Sequence, residues 1–314
     1  MNPVKSLRRY LDNNPKLKPY LLMWLRKTTK TINKWPEEKF INGVMECYER
    51  HMGYTFDLNN PVLFTEKLQW YKIFYKRDDF GSVTDKHLFK SYVEKRLGKG
   101  YTIPYYKVWS DLDELEKDWN LLPEEFVLKS NLQANGMYIK FIHNKATVDF
   151  KELRKELKRW LKPWNTLLNS WDWHFYNSTP KILAEAYMAN FKDQLFDYKF
   201  FCFDGEPYCV YVAQDHFGKD GSHISFYDLD WNKLDVKYGK HLVGDAEKPK
   251  HFDEMVRISR KLSKGFPFIR VDFFDTDEQL FIAEMTFAPG GGATPYHPES
   301  FNKLLGDKFI LPNK

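Results

Sequence analysis

The spacing of hydrophobic residues divides the chain into a helical first part and a strand-rich second part. Thr84 is predicted to cap a helix that ends at Gly98, because a hydroxyl before an apolar periodic run and a glycine after it are typical helix boundaries. Each predicted helix has one apolar face to bury. The other segments with helical spacing are residues 36–51, 64–77, 148–161 and 251–264.

Short runs rich in β-branched and aromatic residues follow the first helices, and their pattern predicts strands. The runs LFDYKFFCF and PYCVYVA flank Asp204-Gly205, which is a strong signal for a tight hairpin. Helices mixed with largely antiparallel strands predict an α+β fold with a helical N-terminal region. The other predicted strands are IPYYKVW, EFVLKS, MYIKFIH, ILAEAYM, ISFYDLDW, FIRVDFF and QLFIAEMTF.

Composition and charge exclude several classes of protein. The 314 residues are 43% hydrophobic and 18% aromatic, too many for a disordered chain. No run approaches the roughly 20 apolar residues of a membrane-spanning helix, and no segment has the pattern of a signal peptide. The motifs and basic surface of a nucleic-acid-binding protein are missing from the sequence. We therefore expect a cytoplasmic protein that does not bind nucleic acid.

The net charge of +5 is concentrated in a basic N-terminal arm, residues 1–34. This arm holds nine Lys or Arg against one acid, which leaves the remaining 280 residues at −3. Its cations alternate with apolar residues such as Leu21, Trp24 and Leu25, so the arm could lie on an anionic membrane surface at the inner face of the membrane. The alternative is a helical face that packs its apolar side on the main body.

Charged residues interrupt two apolar strand runs near the C-terminus. Asp272 lies in FIRVDFF and Glu284 in LFIAEMTF. A three-residue turn centred on Asp277 would place both carboxylates on one side, with Arg270 opposite Glu284, whereas a two-residue turn would put them on opposite faces. Converging carboxylates need a cation, and Mg²⁺ prefers carboxylate and phosphate oxygens. The alternative is an Arg–carboxylate network that only stabilises the hairpin.

Three lysines could supply the cations that a nucleoside triphosphate needs. Lys129 ends a strand run, Lys86 lies in TDKHLFK and Lys199 lies in DYKFF. The sequence has no P-loop, dinucleotide-binding, nucleophile-elbow or zinc-protease motif, so side-chain charge would carry the phosphate contacts. Any one of these lysines alone is more often an ordinary surface residue, and only the set as a whole points to a nucleotide site.

The chain resembles ATP-grasp enzymes, and in particular their TupA-like branch, which is associated with bacterial surface polysaccharide and teichuronopeptide synthesis. The similarity runs from about residue 59 to 292, and DYKFFCFDGEP with the pair FIRVDFF and IAEMTFAPG is its most specific part. The resemblance implies an ATP-grasp fold, in which two lobes grip the nucleotide, with ATP and Mg²⁺ as cofactors. The division we predict is a helical region 1–80, a central lobe 81–185 and a C-terminal lobe 186–314.

The resemblance also implies a role for each candidate residue. Lys86 and Lys129 would contact the ATP phosphates, and Asp197 the ribose hydroxyls. Arg270 would stabilise the transferring phosphoryl group, and Lys199 would approach the phosphates or the acyl phosphate. The remaining assignments are the adenine-lining segment Glu185, Tyr187 and Met188, and the Mg²⁺ ligands Asp272, Glu284 and Thr286.

Two positions depart from the family's pattern. The loop after Lys129 has the single glycine Gly136, where ATP-grasp enzymes usually have a glycine-rich flap over the triphosphate. Thr286 stands where many of them have an Asn ligand, although a hydroxyl also binds Mg²⁺. The polar residues left to hold the phosphates in the loop are Asn131, Gln133 and Asn135.

The activity implied by the resemblance is carboxylate–amine ligation through an acyl phosphate. The expected substrates are an amino acid or amine and a uronic-acid carboxylate on a surface-polysaccharide precursor. The aromatic loop 162–180 is either a platform for a sugar or an aromatic cluster under a long loop. Three other functions remain open: a phosphotransferase on the same fold, a glycosyltransferase at the membrane surface, and a non-catalytic nucleotide-binding module.

Overall fold

The computed structural model describes residues 37–132, 138–161, 179–188, 196–214, 222–276 and 278–313. The basic N-terminal arm and most of the aromatic loop lie outside these ranges. The helices are α1 (Glu37–Met52), α2 (Phe64–Phe74), α3 (Phe80–Thr84), α4 (Leu88–Leu97), α5 (Leu112–Asp118), α6 (Phe150–Trp160), α7 (Phe252–Ser263) and α8 (Glu299–Lys308). The strands are β1 (Tyr105–Trp109), β2 (Phe126–Ser130), β3 (Ile139–Ile142), β4 (Ile182–Ala186), β5 (Asp197–Phe203), β6 (Glu206–Gln214), β7 (His223–Tyr227), β8 (Lys233–Leu234), β9 (Lys237–Tyr238), β10 (Phe268–Asp275), β11 (Leu280–Thr286) and β12 (Tyr296–His297).

The strands form two main antiparallel sheets. One has four strands in the order β1-β4-β2-β3, and the other has six in the order β11-β10-β5-β6-β7-β8. The short strands β9 and β12 pair separately. The predicted α+β fold is confirmed, and the predicted helices and strands fall within a few residues of the observed ones.

The four-stranded sheet buries one face against α5 and α6. Phe126 and Leu128 of β2 pack there with Leu157 and Trp160 of α6. Successive side chains of a strand point to opposite faces, so Lys129 lies on the other face of this sheet. That face carries the Lys129 ammonium and the Glu185 carboxylate beside the buried side chains of Val127 and Leu183.

The six-stranded sheet forms the larger core. Phe64 of α2 lies 4.9 Å from Phe268 and 5.9 Å from Phe201, measured between ring centroids. On the opposite face, Phe252 of α7 lies 5.7 Å from Phe200. The N-terminal helix α2 is therefore part of the same core as the C-terminal strands. The predicted domain division at residues 80 and 185 stays a prediction.

Two sequence signals for local structure have different outcomes. The Asp204-Gly205 hairpin is confirmed, with φ values of 47° and 83° at its two turn residues. The cap assigned to Thr84 is wrong, because Thr84 ends α3 and its hydroxyl donates to the Phe80 carbonyl. Asp85 accepts the backbone N–H groups of His87 and Leu88 instead, since a carboxylate at a helix N-terminus satisfies free donors.

Candidate active site

In the hairpin of β10 and β11, Asp272 and Glu284 are brought side by side by a two-residue turn followed by a β-bulge. Thr276 and Gln279 exchange both backbone hydrogen bonds, which leaves two positions between them instead of three. A β-bulge at Ala283 restores the register, so Asp272 pairs with Glu284. The turn is therefore the two-residue alternative, and the bulge brings the two carboxylates to the same side.

The two-residue turn and the bulge also set the cross-strand partner of Arg270. Arg270 pairs across the strands with Thr286 rather than with Glu284. Its guanidinium nevertheless reaches Glu284, because the Nη2 atom lies 3.3 Å from one carboxylate oxygen and 3.2 Å from the Thr286 hydroxyl. A long side chain thus makes the contact that the backbone register does not.

Asp272 is fully buried and is held by two cations. Its oxygens accept from Arg270 Nε at 2.7 Å and Nη2 at 2.6 Å, and from Lys199 Nζ at 2.7 Å. Lys199 also pairs with Asp197 on its own strand. Burial raises the pKa of Asp272, and the Arg270 and Lys199 charges act against that rise. The result is a compact row of alternating charges.

Glu284 is the most exposed of these charged side chains. Its side chain is 35% exposed, and its Oε2 atom lies 3.1 Å from Lys86 Nζ at the approach to α4. Burial opposes ionisation, but Lys86, Lys199 and Arg270 hold the pKa of Glu284 well below its ordinary value. The carboxylate is therefore charged and accessible at neutral pH.

A second charged group lies on the face of the four-stranded sheet that carries Lys129. The Glu185 carboxylate contacts Lys129 Nζ at 2.6 Å and Lys90 Nζ at 2.5 Å. Burial alone would raise the pKa of Glu185, yet the two lysines lower it to about 2. The sequence reasoning missed Lys90, although it lies one helical turn after Lys86 and such spacing places both on one face.

Asn131, one of the residues suggested to hold phosphate, already has hydrogen-bond partners for its side chain in the structure. It is fully buried, and its amide donates to Asp85 Oδ2 at 2.6 Å and to the Thr179 carbonyl at 3.0 Å. Its oxygen accepts the Lys181 N–H at 2.6 Å. Asn131 therefore ties the start of α4 to the four-stranded sheet. Gln133, Asn135 and Gly136 lie outside the described residues.

Tyr211 is a second residue that the sequence did not single out. Its hydroxyl lies 3.5 Å from Arg270 Nη1, and its ring lies 5.7 Å from the Arg270 guanidinium carbon and 6.0 Å from Lys199 Nζ. If the two-residue hairpin of β5 and β6 had no bulge, Val210 would lie opposite Lys199. The bulge at Tyr208 moves Tyr211 to that position.

Tyr187 and Met188 follow β4 and are partly exposed. The Tyr187 ring meets His143 edge-on at 5.1 Å and Phe141 at 6.3 Å. Phe141 is 43% exposed, so aromatic surface is available beside Glu185. A flat apolar surface of this kind suits stacking of a planar group.

The structure brings most of the predicted site residues into two charged groups. One contains Lys86, Asp197, Lys199, Arg270, Asp272, Glu284 and Thr286, and the other contains Lys129 and Glu185 with the added Lys90. Over the described ranges, no set of three His, Cys, Asp or Glu side chains forms a metal-binding cluster.

The two sheets and this concentration of charge are features of the ATP-grasp class. The family model described as TupA-like ATPgrasp matches residues 66–310. The chain belongs to the TupA-like ATP-grasp family, which confirms the predicted family and its fold. No curated protein matches the sequence significantly.

Several solved structures resemble the fold at low identity. The D-alanine–D-alanine ligases of Bacillus anthracis and Helicobacter pylori each show 17% identity, with TM-scores of 0.38 and 0.40. The alignment with the Bacillus anthracis ligase covers 66% of this chain and 57% of the ligase chain, and the alignment with the Helicobacter pylori ligase covers 73% and 61%. Phosphoribosylamine–glycine ligase of Thermotoga maritima shows 12% identity and a TM-score of 0.44, with 70% of this chain and 54% of that chain covered. This chain thus spans little more than half the length of these ligases.

Proposed function

We propose that the protein is an ATP- and Mg²⁺-dependent ligase that joins a carboxylate to an amine through an acyl phosphate. The observation that carries the proposal is the meeting of Lys86, Lys199 and Arg270 with the carboxylates of Asp272 and Glu284. Phosphoryl transfer needs positioning and charge neutralisation rather than a protein nucleophile. Membership in the ATP-grasp family supports the same activity.

The metal would be held by the oxygens of Asp272, Glu284 and Thr286. These donors fit Mg²⁺, which is a hard cation that takes carboxylate and hydroxyl oxygens and shares its shell with phosphates and water. Of the two carboxylates, that of Glu284 is the more exposed to solvent. When bound, Mg²⁺ supplies Lewis-acid stabilisation of negative charge on the phosphoryl oxygens.

The reaction would proceed in two successive steps, and different residues of the site would assist each step. In the first, a substrate carboxylate oxygen bonds to the γ-phosphorus of ATP, and ADP leaves with the electron pair of the broken bond. In the second, the amine nitrogen bonds to the acyl carbon, phosphate leaves and the nitrogen loses a proton. Arg270 and Lys199 would neutralise the transferring group, and Lys86 and Lys129 would hold the ATP phosphates.

The nucleoside would lie between the two charged groups. Glu185, Tyr187 and Met188 would line the adenine, with the aromatic surface of Phe141 beside them. Asp197 would bind the ribose hydroxyls. Asp197 and Lys199 are adjacent on the same face of β5, which favours a ribose and a phosphate bound side by side.

We further propose that the substrates are an amino acid or amine and a uronic acid of a bacterial surface-polysaccharide precursor. The TupA-like family match supports this choice. Over the described ranges, no helix combines the length and apolar character needed to cross a bilayer. The basic arm 1–34 would instead hold the enzyme at the inner face of the membrane by charge. Salt-sensitive flotation with anionic liposomes tests that contact, and no flotation would refute it.

Isothermal titration of ATP with Mg²⁺ tests the proposed site. Glu284→Gln should weaken binding at least tenfold, because a neutral amide holds Mg²⁺ poorly. Glu206→Gln is the matched control, since this carboxylate is 67% exposed and pairs with Arg260 at the surface. Equal affinities of the two variants would refute the metal assignment.

Product analysis then identifies the reaction. Release of ADP only when both a uronic acid and an amine are present supports the ligase. ADP with a phosphorylated product would indicate a phosphotransferase, and release of UDP from a sugar nucleotide would indicate a glycosyltransferase. ATP binding without product under any combination would indicate a nucleotide-binding module.

A further inference from the structure

The Glu185 carboxylate of β4 lies between two ammonium groups. Lys90 Nζ is 2.5 Å from Oε1 and Lys129 Nζ is 2.6 Å from Oε2. The Glu185 side chain is 7% exposed, so the pair of contacts is removed from water. One buried anion thus has two cations, which is one more than neutrality requires.

The two lysines are held differently. Lys90 also donates to the Ile103 carbonyl at 2.7 Å, and its ammonium lies 5.8 Å from the centre of the Tyr105 ring. Its side chain is 10% exposed, against 19% for Lys129. Lys90 is therefore fixed in place by a carbonyl and a ring, while Lys129 is the more open of the two.

The second cation matters when Lys129 changes partner. A buried carboxylate that loses its counter-ion is strongly destabilised, because its charge is then neither hydrated nor paired. If Lys129 were the sole partner of Glu185, any anion that attracted Lys129 would have to overcome that penalty. With Lys90 in place, the carboxylate stays paired after Lys129 has moved.

We propose that Lys90 is a positioning residue that keeps Glu185 neutralised, so that Lys129 is released to bind the nucleotide phosphates. The proposal rests on the proposed function, in which Lys129 contacts ATP. Lys90 itself acts through Glu185 and touches neither the nucleotide nor the reacting atoms. Nothing in the sequence marks it apart from its position one turn after Lys86.

The first test needs no ligand and uses urea unfolding of the full chain. Lys90→Met and Lys129→Met should each retain most of the wild-type stability, because one lysine still pairs with Glu185. The double variant should lose clearly more than the sum of the two, and adding Glu185→Gln should restore much of that loss. Simple additivity, or no restoration by Glu185→Gln, would overturn the shared counter-ion. A double variant that fails to fold, beside a triple variant that folds, supports it.

The second test is titration of ATP with Mg²⁺. Lys90→Met should weaken binding at least tenfold, Lys90→Arg should bind within threefold of wild type, and Lys90→Met with Glu185→Gln should bind within threefold of Glu185→Gln alone. Lys95→Met is the matched control, because Lys95 is an exposed lysine on the same helix. A Lys90→Met variant that binds as tightly as wild type, or is not rescued by Glu185→Gln, would overturn the release of Lys129.

The two tests separate this inference from the proposed function. A wild type that binds no ATP would refute the proposed function and the release step with it. The unfolding series would still decide whether Lys90 and Lys129 share Glu185.

Discussion

The exposure and the ion-pair partners of each charged side chain in the site depend on the residues packed around it. Asp272 and Glu284 are neighbours across two strands, yet one is fully buried between Arg270 and Lys199 while the other is about a third exposed. The sequence showed two equivalent carboxylates in apolar strands. Burial and partners, which depend on the packing of both sheets, enclose the Asp272 carboxylate between two cations and leave the Glu284 carboxylate partly exposed to solvent.

Glu185 gives a prediction on pH. Its pKa falls from an ordinary 4.5 to about 2 in the folded chain, so the folded state is stabilised above pH 4.5 and loses that stability as the pH falls toward 2. The shift corresponds to at most about 3 kcal/mol. In chemical unfolding, the free energy of unfolding of Glu185→Gln should therefore fall less steeply from pH 4.5 to about 2 than that of wild type. The control variant Glu206→Gln should follow wild type. Parallel curves for wild type and Glu185→Gln would contradict the ion pairs.

Asn131 gives a prediction on stability. Asn131→Ala removes three buried hydrogen bonds and should cost about 2–4 kcal/mol in the free energy of unfolding, because Asp85 and the Lys181 N–H lose a partner. Asn232→Ala removes an exposed amide that contacts Asp228, and should cost less than about 1 kcal/mol. Urea denaturation measures both, and equal costs would argue against the structural role of Asn131.

At the scale of elements, α2 positions the segment that follows the charged hairpin. Gln69 donates to the Gly292 carbonyl at 2.6 Å, and Lys72 donates to the Gly291 carbonyl at 2.8 Å. The glycine turn over Pro289–Gly292 therefore has a fixed course just after Thr286. The helix that holds this turn lies more than two hundred residues earlier in the chain.

Gly292 tests this contact between elements. A Cβ atom there would lie 2.5 Å from Gln69 Nε2 and 2.9 Å from Leu68 Cβ, and the φ of +68° is also unfavourable for alanine. Gly292→Ala should destabilise the protein by about 2–4 kcal/mol. Gly265→Ala has a similar φ of +85° with nothing within 4 Å, so thermal unfolding should show a cost of only about 1 kcal/mol. Similar costs would mean that backbone strain alone matters.

At the scale of the whole molecule, the N-terminal helices and C-terminal strands share one core. Phe64 contacts rings of β5, β10 and the segment after α8, namely Phe201, Phe203, Phe268 and Phe309. The same core supports the face of the sheet that carries Lys199 and Arg270. Helix α2 therefore packs in the same core as the strands that carry Lys199 and Arg270.

Phe64→Ala should cost about 3–5 kcal/mol in the free energy of unfolding, because it opens a cavity in a fully buried position. Phe141→Ala is the control, since its ring is 43% exposed and its loss should cost less than about 1 kcal/mol. Urea denaturation followed by tryptophan fluorescence measures both. A Phe64→Ala variant as stable as the control would contradict a shared core.

The sequence by itself determined the elements and the chemistry that they carry. Periodicity placed most of the helices and strands, Asp204-Gly205 placed a hairpin, and the motifs identified the family and most of the charged residues. These signals are local, because they depend on the alternation of side chains and on the backbone preferences of single residues.

Only the tertiary structure decided which charges meet. The bulges at Ala283 and Tyr208 set the cross-strand partners of Asp272 and Lys199, and no local signal in the sequence marks them. Lys90 joins Glu185 because a helix and a sheet pack together from distant parts of the chain. Side-chain pairing across elements depends on register and packing, which are properties of the folded chain as a whole.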